Sequence, residues 1–230
     1  MIAVRKTTVT ALVALVFGAP ASASAATIAP DPAKPCYREG ETLFLNGTGY
    51  TPNTVVSFTR DGTPVPTTSP VVSDASGNFS STLRLPSLTS GQLRLTYVGT
   101  DTANVANVAQ VQLLVSAVDM TLSPENGPPN RLLTLTGRGF TTGRTLWAHI
   151  KRKGGGKART MRLGRLKGAC RTIKTKRRLF PPNPAFGQYR VQFDTFRRYK
   201  PSRAVKAGYD VNIVRTSRPA AAALSPASAR

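Results

Sequence analysis

Leu43-Phe44-Leu45-Asn46-Gly47-Thr48-Gly49-Tyr50-Thr51 returns later in the chain as Leu133-Thr134-Leu135-Thr136-Gly137-Arg138-Gly139-Phe140-Thr141, at a constant offset of 90 positions. The match continues downstream, where Val56 and Phe58 correspond to Leu146 and Ala148. Further on, Gly91-Gln92-Leu93-Arg94-Leu95-Thr96-Tyr97 resembles Gly187-Gln188-Tyr189-Arg190-Val191-Gln192-Phe193, at an offset that has grown to 96. A repeat of this length is a duplicated domain and not a solenoid unit, and the growing offset places an insertion in the second copy.

Working outward from these stretches, each copy alternates apolar and polar residues in short runs. In the first these are Leu43/Leu45, Val56/Phe58, Phe79 to Leu85, Leu93/Leu95/Tyr97 and Val111/Leu113/Val115, with turn residues such as Asp61-Gly62, Asp74 to Asn78 and Ser90-Gly91 between them. A period of two, with Val, Thr and aromatic residues and frequent turn signals, predicts antiparallel strands of a β-sandwich. No segment after the leader carries a helical stripe. The expected fold class is therefore all-β, as two tandem immunoglobulin-like sandwiches over residues 27–116 and 117–216. In Gly47-x-Gly49-Tyr50 and Gly137-x-Gly139-Phe140 a strand must end, turn and return an aromatic to the core. Glycine supplies the backbone freedom or the close approach that such a corner needs. A phosphate-cradling reading fails, because neither pair opens a helix.

Val118-Asp119-Met120-Thr121-Leu122-Ser123-Pro124-Glu125-Asn126-Gly127-Pro128-Pro129, followed by Leu133 to Phe140, resembles the opening of IPT/TIG-type immunoglobulin-like domains. The first copy, from Gly47 to Phe58, resembles related bacterial extracellular modules. The resemblance covers about the first third of each copy, and it describes a fold more than a function. It implies spacer or binding modules of adhesins, envelope-associated proteins or glycan-active enzymes, with no catalytic residues to carry over.

The formal charge is +22, and it is unevenly placed. Residues 27–115 hold five Lys or Arg against six Asp or Glu, a balance of −1, whereas residues 116–230 hold 25 against four, a balance of +21. From Lys151 to Arg178 there are thirteen Lys or Arg and no Asp or Glu. Lys151-Arg152-Lys153-Gly154-Gly155-Gly156-Lys157 reads as a hairpin tip with cations on both flanks. Arg159, Arg162, Arg165 and Lys167 extend the run, and Lys174, Lys176 and Arg178 recur at every second position, which on a strand puts them on one face. Cations without counter-charges repel one another and favour a polyanion as partner, bound largely through counterion release. The bland alternative is a solvated face that maintains solubility. The polyanion-binding candidates are Lys151, Arg152, Lys153, Lys157, Arg159, Arg162, Arg165, Lys174, Lys176 and Arg178. Sequence-specific nucleic-acid recognition is not expected.

Arg5 and Lys6, the apolar run Val9 to Phe17 and the Ala/Ser-rich stretch Ala21 to Ala26 read as a cleavable signal peptide over residues 1–26. The apolar run is about half the ~20 residues that span a bilayer, so a permanent anchor is not expected. Residues 217–230 are Ala/Ser/Pro-rich and read as a disordered tail. The expected location is therefore secreted or envelope-associated, where disulfides persist. Cys36 lies in the first half and Cys170 in the second. A bond between them would tie the two copies. The alternative is a buried Cys170 and a Cys36 that is free or paired between molecules.

Catalysis finds little to work with. The one histidine, His149, is predicted to point outward with Trp147 and Lys151, while Leu146, Ala148 and Ile150 point inward. It has no Cys or second His at metal-ligand spacing. The basic half holds no carboxylate pair close in sequence, and a Ser-His-Asp site would have to use His149. No enzyme activity, cofactor or metal is expected. Trp147, the one tryptophan, is expected in core or inter-domain packing ahead of a role as a ligand platform. A pocket around Asp194, Asp210 or His149 would instead favour an accessory binding module of a secreted carbohydrate-active system, or an unrecognised enzyme site.

Overall fold

The alternation of the first copy becomes strands whose inward residues are the apolar ones. In the computed structural model, which describes residues 25–67, 69–203 and 205–214, β1 (Thr27–Pro30), β2 (Tyr37–Arg38) and β3 (Thr42–Thr48) open the chain. They are followed by β4 (Val55–Arg60), β5 (Thr63–Pro64) and β6 (Val71–Val72). The first copy closes with β7 (Phe79–Arg84), β8 (Gln92–Asp101) and β9 (Val108–Ser116). One sheet has the order β1-β3-β7, and the other β2-β9-β8-β4-β5 with β6 also paired to β4. Every pairing is antiparallel except the short β2–β9 ladder. Leu43, Leu45, Phe58, Phe79, Leu95, Tyr97 and Val115 fill the space between the sheets.

The second copy repeats the plan with β10 (Asp119–Ser123), β11 (Leu133–Arg138), β12 (Thr145–Arg152) and β13 (Arg159–Arg165). It ends with β14 (Ile173–Arg177), β15 (Gly187–Asp194) and β16 (Ala207–Ile213). Its sheets run β10-β11-β14 and β13-β12-β15-β16. A separate core of Leu135, Phe140, Leu146, Ala148, Val191 and Phe193 lies between them. The protein is all-β, two tandem sandwiches of two packed antiparallel sheets each, of immunoglobulin-like plan. Most of the expected leader and the expected tail over residues 217–230 lie outside the described residues.

The Gly-x-Gly corners divide their tasks in the same way in both copies. Gly49 and Gly139 take φ of 79° and 76°, which side chains disfavour. Gly47 and Gly137 instead make room: a Cβ on Gly47 would meet the Phe79 ring at 2.1 Å, and one on Gly137 would meet Met120 Sδ at 2.7 Å.

Strand registers correct the sequence match in one place. Phe58 faces Gly99 and Ala148 faces Phe193, so β8 and β15 correspond at an offset of 94 and not 96. A slip of two leaves the inward and outward sets unchanged, which is why the residue pattern does not reveal it. Phe79 opposite Gly47 and Ile173 opposite Gly137 give the same 94. The inserted residues therefore fall between β12 and β14, inside the basic run, where β13 has seven residues against the two of its counterpart β5.

Candidate functional site

The ten cations fall into two groups. Lys151 and Arg152 end β12, Lys153 begins the turn around Gly154 (φ 71°), and Lys157 leaves it. Arg159, Arg162 and Arg165 lie on β13, the edge of one sheet, and Lys174 and Lys176 on β14, the edge of the other. The two edges run alongside each other on one flank of the sandwich. Lys174 and Lys176 point outward opposite Thr136 and Thr134, whereas Arg178 lies just past the strand and donates to the Asn130 carbonyl at 2.6 Å. All ten are exposed except Lys151, which is half-buried. Among the described residues, the ion pairs of the second copy are Arg138–Asp119, His149–Asp194 and Arg190–Asp210, and none uses these cations.

At the hairpin end of this field a groove of about 580 Å³ opens between β12, β15 and β16. Lys151, Arg152 and Lys153 line one side, with Gln188, Arg190, Asp210 and Asn212 from β15 and β16. Tyr199 contributes a ring that carries Lys151 Nζ at 5.8 Å from its centroid. Arg190 and Asp210 make an exposed ion pair at 3.3 Å. The arrangement offers cations for an anion, amides for hydroxyl groups and a ring to stack on. Arg190, Tyr199 and Asn212 escape sequence reasoning because they are brought to Lys151 by strand pairing and by the β15–β16 connection. Asp210 and the outward parity of Arg190 are the only local hints.

His149 corrects the expectation of a solvent-facing histidine: its relative exposure is 0%. The parity was right, since His149 stands on the outer face of the β12 sheet, opposite Thr160 and Gln192. The β15–β16 connection then folds over that face. His149 Nε2 donates to the Phe196 carbonyl at 3.0 Å and to Asp194 Oδ1 at 3.3 Å, and Tyr199 lies over the ring at 5.7 Å. Thr160 Oγ1 meets Nδ1 at 2.9 Å, and Gln192 Nε2 donates to Asp194 Oδ2 at 2.6 Å and to the Lys200 carbonyl at 3.0 Å. Burial pushes the Asp194 carboxyl up. The hydrogen bonds from His149, Gln192 and the Phe196 N–H together outweigh it and hold the group below the usual carboxylate range.

A hydroxyl, an imidazole and a carboxylate in sequence invite comparison with an acyl-transfer relay. The first copy argues for a structural role. Asp101, one residue past the counterpart of Asp194 at the end of β8, accepts from the Ala103 N–H at 2.9 Å much as Asp194 accepts from the Phe196 N–H at 2.8 Å, with no histidine involved. Both aspartates tie the connection that follows their strand. The groove is lined by neither His149 nor Thr160.

Trp147 is half-buried on the outer face, outside the apolar core, so of the expected core or inter-domain packing the core placement is corrected. A register shift between Leu146 and Trp147 accompanies this, and the interior positions of β12 go to Leu146, Ala148 and Ile150. Cys36 and Cys170 form a disulfide between the two copies, with Cα atoms 5.0 Å apart and both side chains buried. Beside it, Glu39 Oε1 accepts from the Val118 N–H at 2.9 Å at the junction. Among the described residues no group of three His, Cys, Asp or Glu could hold a metal ion, and no helix is long and apolar enough to cross a membrane.

No family model matches the chain, and no curated protein does. Similar solved structures include a presumed membrane-anchored protein from Corynebacterium diphtheriae, at 12% identity and a TM-score of 0.35, covering 83% of this chain and 57% of that one. The adhesin InvE of Yersinia pseudotuberculosis is similar at 14% identity and a TM-score of 0.31, with 82% and 58% covered. A tetra-tandem repeat from the extending region of a large adhesion protein follows at 18% identity and a TM-score of 0.29, with 82% and 49% covered. The chain thus spans about half the length of these structures.

Proposed function

We propose that this chain is an exported, non-catalytic structural or interaction protein, built from two IPT/TIG-type modules, whose basic second copy contacts polyanions of the cell envelope or its surroundings. The observation that carries the reading is the set of cations from Lys151 to Arg178, which line one flank and one hairpin of the second copy with no carboxylate partner among the described residues. Uncompensated cations cost the fold some stability through mutual repulsion, and a repeating anion relieves it. The first copy, near neutral, acts as a spacer. Export rests on the leader pattern and on the Cys36–Cys170 bond, which belongs to an oxidising compartment.

The groove beside Tyr199 supports a second reading, an accessory module that binds a sugar carrying an acidic group, because amides and a ring stand next to the cations. The two differ in their dependence on salt. Fractionation of a producing culture followed by a salt wash of the envelope tests the first: the protein is expected in the envelope fraction and in the wash. Recovery of all the protein in the medium, or retention through the wash, counts against it.

A further inference from the structure

The edge strand β16 lacks the cations that line the edges β13 and β14 of the second copy. β13 carries Arg159, Arg162 and Arg165, and β14 carries Lys174, Lys176 and Arg177, charges that keep further strands from docking. β16 reads Ala207-Gly208-Tyr209-Asp210-Val211-Asn212-Ile213, seven residues without Lys, Arg or Pro. Its partner on one side is β15, and among the described residues no strand pairs with its other side. The first copy provides a comparison. There β2 pairs with the end of β9, the counterpart of β16. In the second copy the corresponding stretch is drawn away from the sheet: the Arg131 guanidinium donates to the carbonyls of Pro124, Gly127 and Pro128 at 2.8–3.2 Å, holding that segment as a loop.

We infer that β16 is a self-association edge that pairs antiparallel with β16 of a second copy of this chain. The strand is complementary to itself in one register, with a two-fold axis at Val211. That register sets Tyr209 opposite Ile213 on the inner face, an aromatic against a β-branched side chain, and Asp210 opposite Asn212 on the outer face, a carboxylate against an amide. No like charges meet. The cations also permit this partner, because β13 is the far edge of the same sheet. In the joined sheet the two β13 strands stand seven strand spacings apart, about 34 Å. That is several times the ~8 Å screening length at physiological salt, so their repulsion is largely screened. A polyanion bound along β13 and β14 lies on the opposite flank. The inference is independent of the proposed function.

The test is sedimentation equilibrium of the disulfide-bonded protein at 0.3 M salt without polyanion, over micromolar to submillimolar concentrations. A reversible dimer is expected. Asn212→Asp places two carboxylates opposite two others across the axis and is expected to weaken the dimer about tenfold. The exchange Asp210→Asn with Asn212→Asp restores the opposed pairs and is expected to recover the wild-type constant. A monomer at all concentrations overturns the inference, as does a dimer indifferent to Asn212→Asp or a weakened dimer that the exchange does not restore.

Discussion

Gly137 and Gly139 are two residues apart and are glycine for different reasons. The first lacks room for a side chain beside Met120, Phe140 and Ile173. The second holds a left-handed conformation, and a Cβ there would stand 2.0 Å from the Ala117 carbonyl oxygen, a backbone atom that no side-chain rotation can move. Gly139→Ala is therefore expected to lower the unfolding free energy by about 2–4 kcal/mol, read from urea denaturation. Gly156→Ala is the control, since a Cβ there meets nothing within 4 Å. It is expected to change stability by less than about 0.5 kcal/mol, and equal losses in the two variants would refute the packing account. These corners were legible in the sequence because the constraint is local and occurs twice. His149 was not: strand parity locates a side chain on a face, but the burial of that face depends on a connection with no periodicity to read.

That connection, between β15 and β16, is held at its start by Asp194. The depressed carboxyl gives a signed pH dependence. A group whose folded pKa is lowered contributes stability above its unfolded value, near 3.8 here, and the contribution is lost as pH falls through the folded one. Protonating Asp194 removes the negative charge that His149, Gln192 and the Phe196 N–H all donate to, and weakens the three bonds together. Hydrogen exchange is expected to show the Phe196 amide losing protection as pH falls below the unfolded value of about 4, ahead of the β12–β15 ladder. Uniform protection across that range would show that Asp194 does not hold the connection. At this scale the sequence also located the basic hairpin, but not the flank it shares with β14. That flank exists because β13 and β14 end their respective sheets, and the order of strands within a sheet is set by long-range pairing that alternation leaves open.

Across the whole molecule, duplication supplied two similar sandwiches, and the inserted residues changed only the second. Where the first copy has the two-residue edge β5, the second has the seven-residue β13, rich in arginine, beside the lysines of β14. The division of charge was readable from residue counts. The groove around Tyr199, the pairing of Asp194 with His149 and the open edge of β16 were not, because each depends on which strands and connections meet in space. The most direct test of the central claim, that this flank binds repeating anions through charge, is the affinity of the intact protein for a long polyphosphate as a function of salt. Affinity is expected to fall about fiftyfold or more between 50 and 200 mM salt, with a log–log slope of about −3 or steeper. The combined substitutions Arg159→Glu, Arg162→Glu and Lys174→Glu are expected to flatten that slope. Absence of binding at low salt, or binding that neither salt nor these substitutions weaken, would contradict the account.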